Sequence, residues 1–136
     1  MTAILHLSLP VRDLEQARSF YVDVLGCRPG RIRPGWMDVW FWGLQLTLQE
    51  RPDEVHPPGA QGSRHFGVSL EPAGLEAVLD RLRHAGDAVE WLTPLVATSD
   101  PALNGKTSVK VADPSGNVIE LKSYVALSDL IPDALD

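Results

Sequence analysis

His65-Phe66-Gly67-Val68-Ser69-Leu70 restates, about sixty residues later, the phrase His6-Leu7-Ser8-Leu9. In both, apolar and polar residues alternate with the period of a half-buried strand. Each phrase is followed by a segment of helical spacing and then by further alternating runs. A third stretch closes the second half: Asp113-Pro114-Ser115-Gly116-Asn117-Val118-Ile119-Glu120-Leu121-Lys122. Its first five residues read as a turn, because proline restricts φ while glycine and asparagine tolerate positive φ. The turn sets the register that puts Glu120 on the polar phase of the strand after it. His6, His65 and Glu120 thus all fall on polar phases of strand-like segments. Two neutral imidazoles and one carboxylate lower the charge of a divalent ion without saturating it, which suits a metal site with open coordination positions.

The rest of the chain fills in around these phrases. Residues 3–9 predict a strand, ended by Pro10, with Asp13 as a helix N-cap. Leu14, Ala17, Phe20, Tyr21, Val24 and Leu25 recur at helical spacing, and Gly26 stops the helix. Residues 27–33 read as an irregular edge strand, and 36–42 and 44–50 as two strands joined by a tight turn near Gly43. Residues 52–63 are rich in proline, glycine and charge and form a linker. The second half then repeats the plan. It has a strand at 64–70, a helix at 72–85 closed by Gly86 and a short strand at 88–92. A loop at 93–105 and strands at 107–112 and 117–122 follow, with a short helix at 128–130.

This is β-α-β-β-β twice, giving one α+β domain over residues 1–136. Module one spans about 1–51, module two about 64–124, and a tail covers 125–136. Helices on the outside would cover the aliphatic face of a curved, cup-like mixed sheet. The other face would carry His6, Ser8, Asp38, Trp40, Gln45, Thr47, His65, Ser69, Lys110, Glu120 and Lys122. So polar an inner face makes sense if the sheet encloses a wet cavity holding a ligand or metal.

Composition removes several function classes. A net charge of −6 argues against a general nucleic-acid binder, which needs clustered cations. Arg28, Arg31 and Arg33 read as solvated edge charge. No apolar run approaches the roughly 20 residues of a membrane span, and no signal peptide is apparent. The lone Cys27 excludes an internal disulfide, fits a reducing cytoplasm and has no evident activating partner. There is no glycine-rich phosphate loop and no serine nucleophile elbow. Trp40 is a candidate pocket wall for an aromatic or apolar substrate. Gln45 would hydrogen-bond a substrate oxygen or a metal-bound water, and Lys122 would approach an anionic substrate. His56, in the linker, is a candidate mobile acid/base.

Taken in order, four pieces resemble the vicinal oxygen chelate superfamily of glyoxalases, bleomycin and fosfomycin resistance proteins and extradiol dioxygenases. They are His6-Leu-Ser-Leu-Pro-Val-Arg-Asp13, Phe20-Tyr-Val-Asp-Val-Leu-Gly26, His65-Phe-Gly-Val68 and Asp113-Pro-Ser-Gly-Asn-Val-Ile-Glu120. Gly43-Leu-Gln45 and Glu120-Leu-Lys122 make the chain most similar to small extradiol-type dioxygenases. The resemblance implies paired modules forming a cup, a homodimer, and a divalent metal held at the positions of His6, His65 and Glu120. Glyoxalase-like members often supply a further carboxylate from the last strand of module one. Here Gln45 and Thr47 stand nearest that place, so three protein ligands plus water are expected. Iron(II) would suit extradiol dioxygenation of a substrate with vicinal oxygens, whereas Mn, Ni or Zn would suit glyoxalase-like lyase or isomerase chemistry. A bleomycin-resistance-like protein would instead sequester a small aromatic molecule without catalysis.

Overall fold

In the computed structural model, the described residues are 2–98, 100 and 105–130. The first module runs β1 (Leu5–Val11), α1 (Leu14–Arg18), β2 (Arg28–Arg33), β3 (Trp36–Phe41) and β4 (Leu44–Glu50). Its sheet has the order β1-β4-β3-β2, with β1 parallel to β4 and the other pairs antiparallel. The second module runs β5 (Phe66–Leu70), α2 (Pro72–His84), β6 (Glu90–Trp91), β7 (Val96–Ala97), β8 (Thr107–Ala112) and β9 (Val118–Ser123). Its sheet has the order β5-β9-β8-β6, with β5 parallel to β9 and β7 pairing with β8. The expected α+β class with mixed strand directions is present, and hydrogen bonding divides the strands into two sheets. No helix among the described residues is long and apolar enough to cross a membrane.

Several local expectations hold for the reasons given. Asp13 is extended, and its carboxylate accepts from the Gln16 amide at 2.8 Å. Gly26 takes φ +82°, and an added Cβ there would meet the Arg81 guanidinium at 2.9 Å. That guanidinium, carried by α2, donates to the Val24 and Asp23 carbonyls at 3.0 and 3.2 Å. The orphan carbonyls at the end of the first helical segment are therefore capped from the second module. In α2, Leu75, Val78, Leu79 and Leu82 are buried on one stripe, with Pro72 in the first turn, where its missing N–H is harmless.

Three expectations need correction. Pro10 does not end the first strand but lies inside β1, paired with Gln49. An edge strand tolerates proline because one row of its amides needs no partner. The segment from Leu14 to Leu25 is not uniformly α-helical, since residues Ser19–Val24 form a π-helical turn. There the Leu25 amide reaches the Phe20 carbonyl at 2.9 Å, and adjacent Phe20 and Tyr21 both enter the core, edge to face at 5.1 Å. The β3–β4 turn falls at Trp42–Gly43 as expected, with the positive φ (53°) at Trp42. The strand expected at 88–92 shrinks to Glu90–Trp91, and β7 appears within the expected loop 93–105. Residues 99 and 101–104 of that loop, and 131–136 of the tail, lie outside the described residues. The short helix near 128–130 is a 3-10 turn, Leu127–Leu130.

The aliphatic faces of both sheets and both helices merge into one core, from Val11, Tyr21, Met37, Val39, Leu46 and Leu48 to Leu79, Leu82, Val109, Ile119 and Leu121. Phe41 and Phe66 bridge the modules at 5.0 Å. The polar bridge is the β8–β9 turn. Asp113 is 2 % exposed, and its carboxylate accepts from the Ser115 and Asn117 amides, the Asn117 side chain and the Tyr21 hydroxyl, at 2.7–2.9 Å. Burial raises the Asp113 carboxyl, against the lowering effect of the hydrogen bonds from Asn117 and Tyr21. Asn117 also donates to the Pro10 carbonyl at 3.0 Å, and the Arg12 amide donates to the Ser115 hydroxyl at 2.8 Å. The linker closes over the same turn. Gly116 has φ +89°, and a Cβ there would collide with the His56 carbonyl.

Tyr21→Phe removes one hydrogen bond to a buried carboxylate while keeping the ring. It is expected to lower unfolding stability by about 1.5–3 kcal/mol in urea titrations. An unchanged midpoint would show that the Tyr21–Asp113 bond does not tie the modules together.

Candidate functional site

The polar face of the second sheet holds a group centred on Glu120. Gly67 and Glu120 are paired on parallel β5 and β9. A Cβ at Gly67 would lie inside contact distance of the Glu120 carbonyl oxygen, so only glycine permits that approach. His65, just before β5, lies with its Nε2 3.8 Å from Glu120 Oε2. Its Nδ1 is 2.8 Å from the Ser63 carbonyl. A carbonyl only accepts, so Nδ1 carries the proton and the neutral ring keeps its Nε2 lone pair free toward Glu120. The Glu120 carboxylate, 9 % exposed, is also approached by Lys122 at 3.5 Å and Lys106 at 3.8 Å. With Ser69, Glu120, Lys122 and His65 line a hollow of about 270 Å³.

The polar face of the first sheet forms a second hollow, about 390 Å³, lined by His6, Arg31, Trp36, Gln45, Thr47 and Gln49. His6 repeats the arrangement of His65: its Nδ1 lies 3.2 Å from the Gln45 carbonyl, again leaving Nε2 free. His84 shares this tautomer through the Asp80 carbonyl at 2.6 Å, but it lies on α2, away from the strands that carry the two polar faces. At the centre of this face Asp38 is 2 % exposed. Burial alone would raise its carboxyl. The hydrogen bonds from Thr47 at 2.7 Å, Arg31 at 2.8 Å and Gln45 at 3.4 Å outweigh burial and hold it below the usual value. Arg31 is thus not plain solvated edge charge. Its Nε pairs with Asp38, and its guanidinium lies 5.2 Å from the centre of the Trp36 ring.

The expected site residues therefore fall into separate groups. His65, Glu120 and Lys122 come together, and His6, Gln45 and Thr47 come together. His56 and His65 share a third hollow of about 340 Å³ in the seam between modules, floored by Leu7, Leu9, Phe66 and Val118. Trp40 lines a fourth, of about 410 Å³, against Leu25, Cys27, Trp42 and Val78. Among the described residues no three His, Cys, Asp or Glu side chains stand together as a metal-holding group. Reading the sequence missed Lys106, and it left Asp38 without a role. The composition carried a signal for the first: the chain has three lysines, and all lie between 106 and 122.

Cys27 is buried and contributes no nucleophile. Burial pushes its thiol up to about 12 from 9.0, against a smaller lowering effect of Arg81. The neutral thiol supports folding fully below pH 9, and that contribution is lost as pH rises toward 12. Native protein at pH 8 is expected to resist a disulfide-exchange reagent and to react at once when unfolded in urea. Fast labelling of the native state would contradict this burial.

Comparison with known proteins agrees with this architecture. The family model described as glyoxalase/bleomycin resistance protein/dioxygenase superfamily matches residues 3–121. The crystal structure of a glyoxalase/bleomycin resistance protein/dioxygenase from Alicyclobacillus acidocaldarius is similar at 25 % identity and TM-score 0.81, covering 95 % of this chain and 96 % of that one. The fosfomycin resistance protein FosX from Listeria monocytogenes shares the fold at 16 % identity and TM-score 0.74, covering 96 % and 99 %. A glyoxalase/dioxygenase from Nostoc punctiforme does so at 18 % identity and TM-score 0.69, covering 90 % of each chain.

Proposed function

Because the chain belongs to the glyoxalase/bleomycin resistance protein/dioxygenase superfamily, we propose that it is a metal-dependent enzyme acting on a small substrate with two adjacent oxygens. The reading takes His6, His65 and Glu120 as the metal ligands and extradiol-type dioxygenation as the reaction. The observation that carries it is the shared preparation of the two histidines. Each has Nδ1 tied to a backbone carbonyl and Nε2 left as a free donor, as imidazole ligands require. Glu120 adds a carboxylate beside one of them. This donor set fits a divalent ion of the Fe, Mn, Ni or Zn class, with iron(II) favoured for dioxygenation. The bound ion supplies Lewis-acid polarisation of the substrate oxygens and open positions for substrate and oxygen or water.

The protein's own groups do the rest. Gln45, in the hollow with His6, presents an amide to a substrate oxygen or to water. Thr47 and Arg31 fix Asp38 and keep that face rigid. His56, which lines the seam hollow together with His65, would serve as a proton carrier. His6 lies in a different hollow from His65 and Glu120. The full ligand set is therefore completed between two copies of the chain, with His6 from one and His65 and Glu120 from the other. A homodimer then carries two sites related by its symmetry axis.

Metal analysis of single variants tests the ligands. His6→Ala, His65→Ala and Glu120→Ala are each expected to lose tight metal while staying folded; stoichiometric metal in all three would overturn the assignment. Mixing tests the assembly. His6→Ala and Glu120→Ala chains, unfolded and refolded together, are expected to regain about a quarter of the wild-type sites, because a random mixture is half heterodimers with one intact site each. No recovery would place all ligands within one chain.

A further inference from the structure

All three lysines of this acidic chain, Lys106, Lys110 and Lys122, lie on or just before the two strands β8 and β9, around the position of Glu120. Lys122 and Lys106 lie 3.5 and 3.8 Å from Glu120, and Lys110 is its partner across the β8–β9 pair. Lysines on a sheet commonly guard an exposed edge, but β8 and β9 are the two inner strands of the order β5-β9-β8-β6. Nor are these side chains freely solvated: Lys106 is 26 % and Lys122 30 % exposed. Two partly buried ammonium groups within 4 Å of one carboxylate, with a third lysine at the cross-strand position, leave an excess of positive charge, and mutual repulsion makes such a cluster unfavourable without a further anion. Elsewhere the chain meets its need for cations with arginine.

We propose that Lys106, Lys110 and Lys122 form an anion-binding wall beside the metal ligands, and that the substrate is a vicinal-oxygen compound carrying an additional carboxylate. This rests on the reading of Glu120 as a ligand. With its carboxylate engaged by a cation, the ammonium groups that now pair with it are released to an incoming anion. Lysine suits the task as a compact point charge on a flexible stem, able to turn from Glu120 to the substrate.

A matched pair of probes isolates the carboxylate. Catechol and 3,4-dihydroxybenzoate are titrated calorimetrically into wild-type protein and into a Lys106→Met, Lys110→Met, Lys122→Met variant, each with manganese and with chelator. Wild-type protein is expected to prefer the benzoate by roughly tenfold or more, as one charge-assisted contact provides. That preference should weaken with added salt and vanish in the variant. The companion variant with arginine at the same three positions should keep it, which shows that charge rather than folding is responsible. Absence of a preference in wild-type protein, or its survival in the methionine variant, overturns the proposal. The metal arms separate this from the reading beneath it. A lysine-dependent preference that is the same with manganese and with chelator keeps the anion wall and discards the metal role of Glu120.

Discussion

The buried carboxylate of Asp113 is the constraint on which the rest of the molecule depends. It accepts four hydrogen bonds, from the Ser115 and Asn117 amides, the Asn117 side chain and the Tyr21 hydroxyl. The first three wind residues 113–117 into a tight turn and so fix the register of β9 against β8. The fourth reaches the first helical segment of the other module. Through Asn117 and Ser115 the turn also holds Pro10 and Arg12, at the end of β1, and the linker packs on Gly116. Glu120 lies three residues past the turn. Its position facing His65 follows from this register and from the close approach that Gly67 allows.

The site chemistry divides along the same lines as the fold. Each module contributes one polar face with one histidine in the same tautomer, but the surroundings differ. Around His6 the buried Asp38 is fully occupied by Thr47, Arg31 and Gln45, which makes that face a fixed platform. Beside His65 the carboxylate of Glu120 is held by ion pairs to Lys122 and Lys106 of 3.5 and 3.8 Å, longer than a formed hydrogen bond. Its partners can therefore be exchanged at modest cost. A rigid half opposite an exchangeable half is a sensible division for a site that must be preorganised yet must admit a cation and a substrate.

Much of the fold was legible because alternation and helical spacing are local. The repeated His6 and His65 phrases located β1 and β5, Asp13 and Gly26 bounded the first helical segment, and Leu75 to Leu82 marked the stripe of α2. What escaped the sequence depends on neighbours distant along the chain. Pro10 reads as a breaker until β1 is known to be an edge strand, and the π turn at Ser19–Val24 follows from the need to bury Phe20 and Tyr21 together. The grouping of His65 with Glu120 followed from phase. The placement of His6 and of Trp40 in other hollows did not, because phase names a face and says nothing of how two faces meet. Asp38 looked like one more polar-phase residue. Its burial depends on Arg31 folding back from β2, which no spacing rule encodes.

The central claim is that ligands are held through a metal bound by this chain and not by aromatic contact alone. A sequestering protein would use Trp40, Trp42 and the apolar seam for stacking and burial, and its affinity would survive chelation. Titrating catechol into metal-loaded and chelator-treated protein distinguishes the two. Binding that requires the metal, with no measurable heat after chelation, is the expected result. Equal affinity in both states, with no turnover of catechol, would contradict the account.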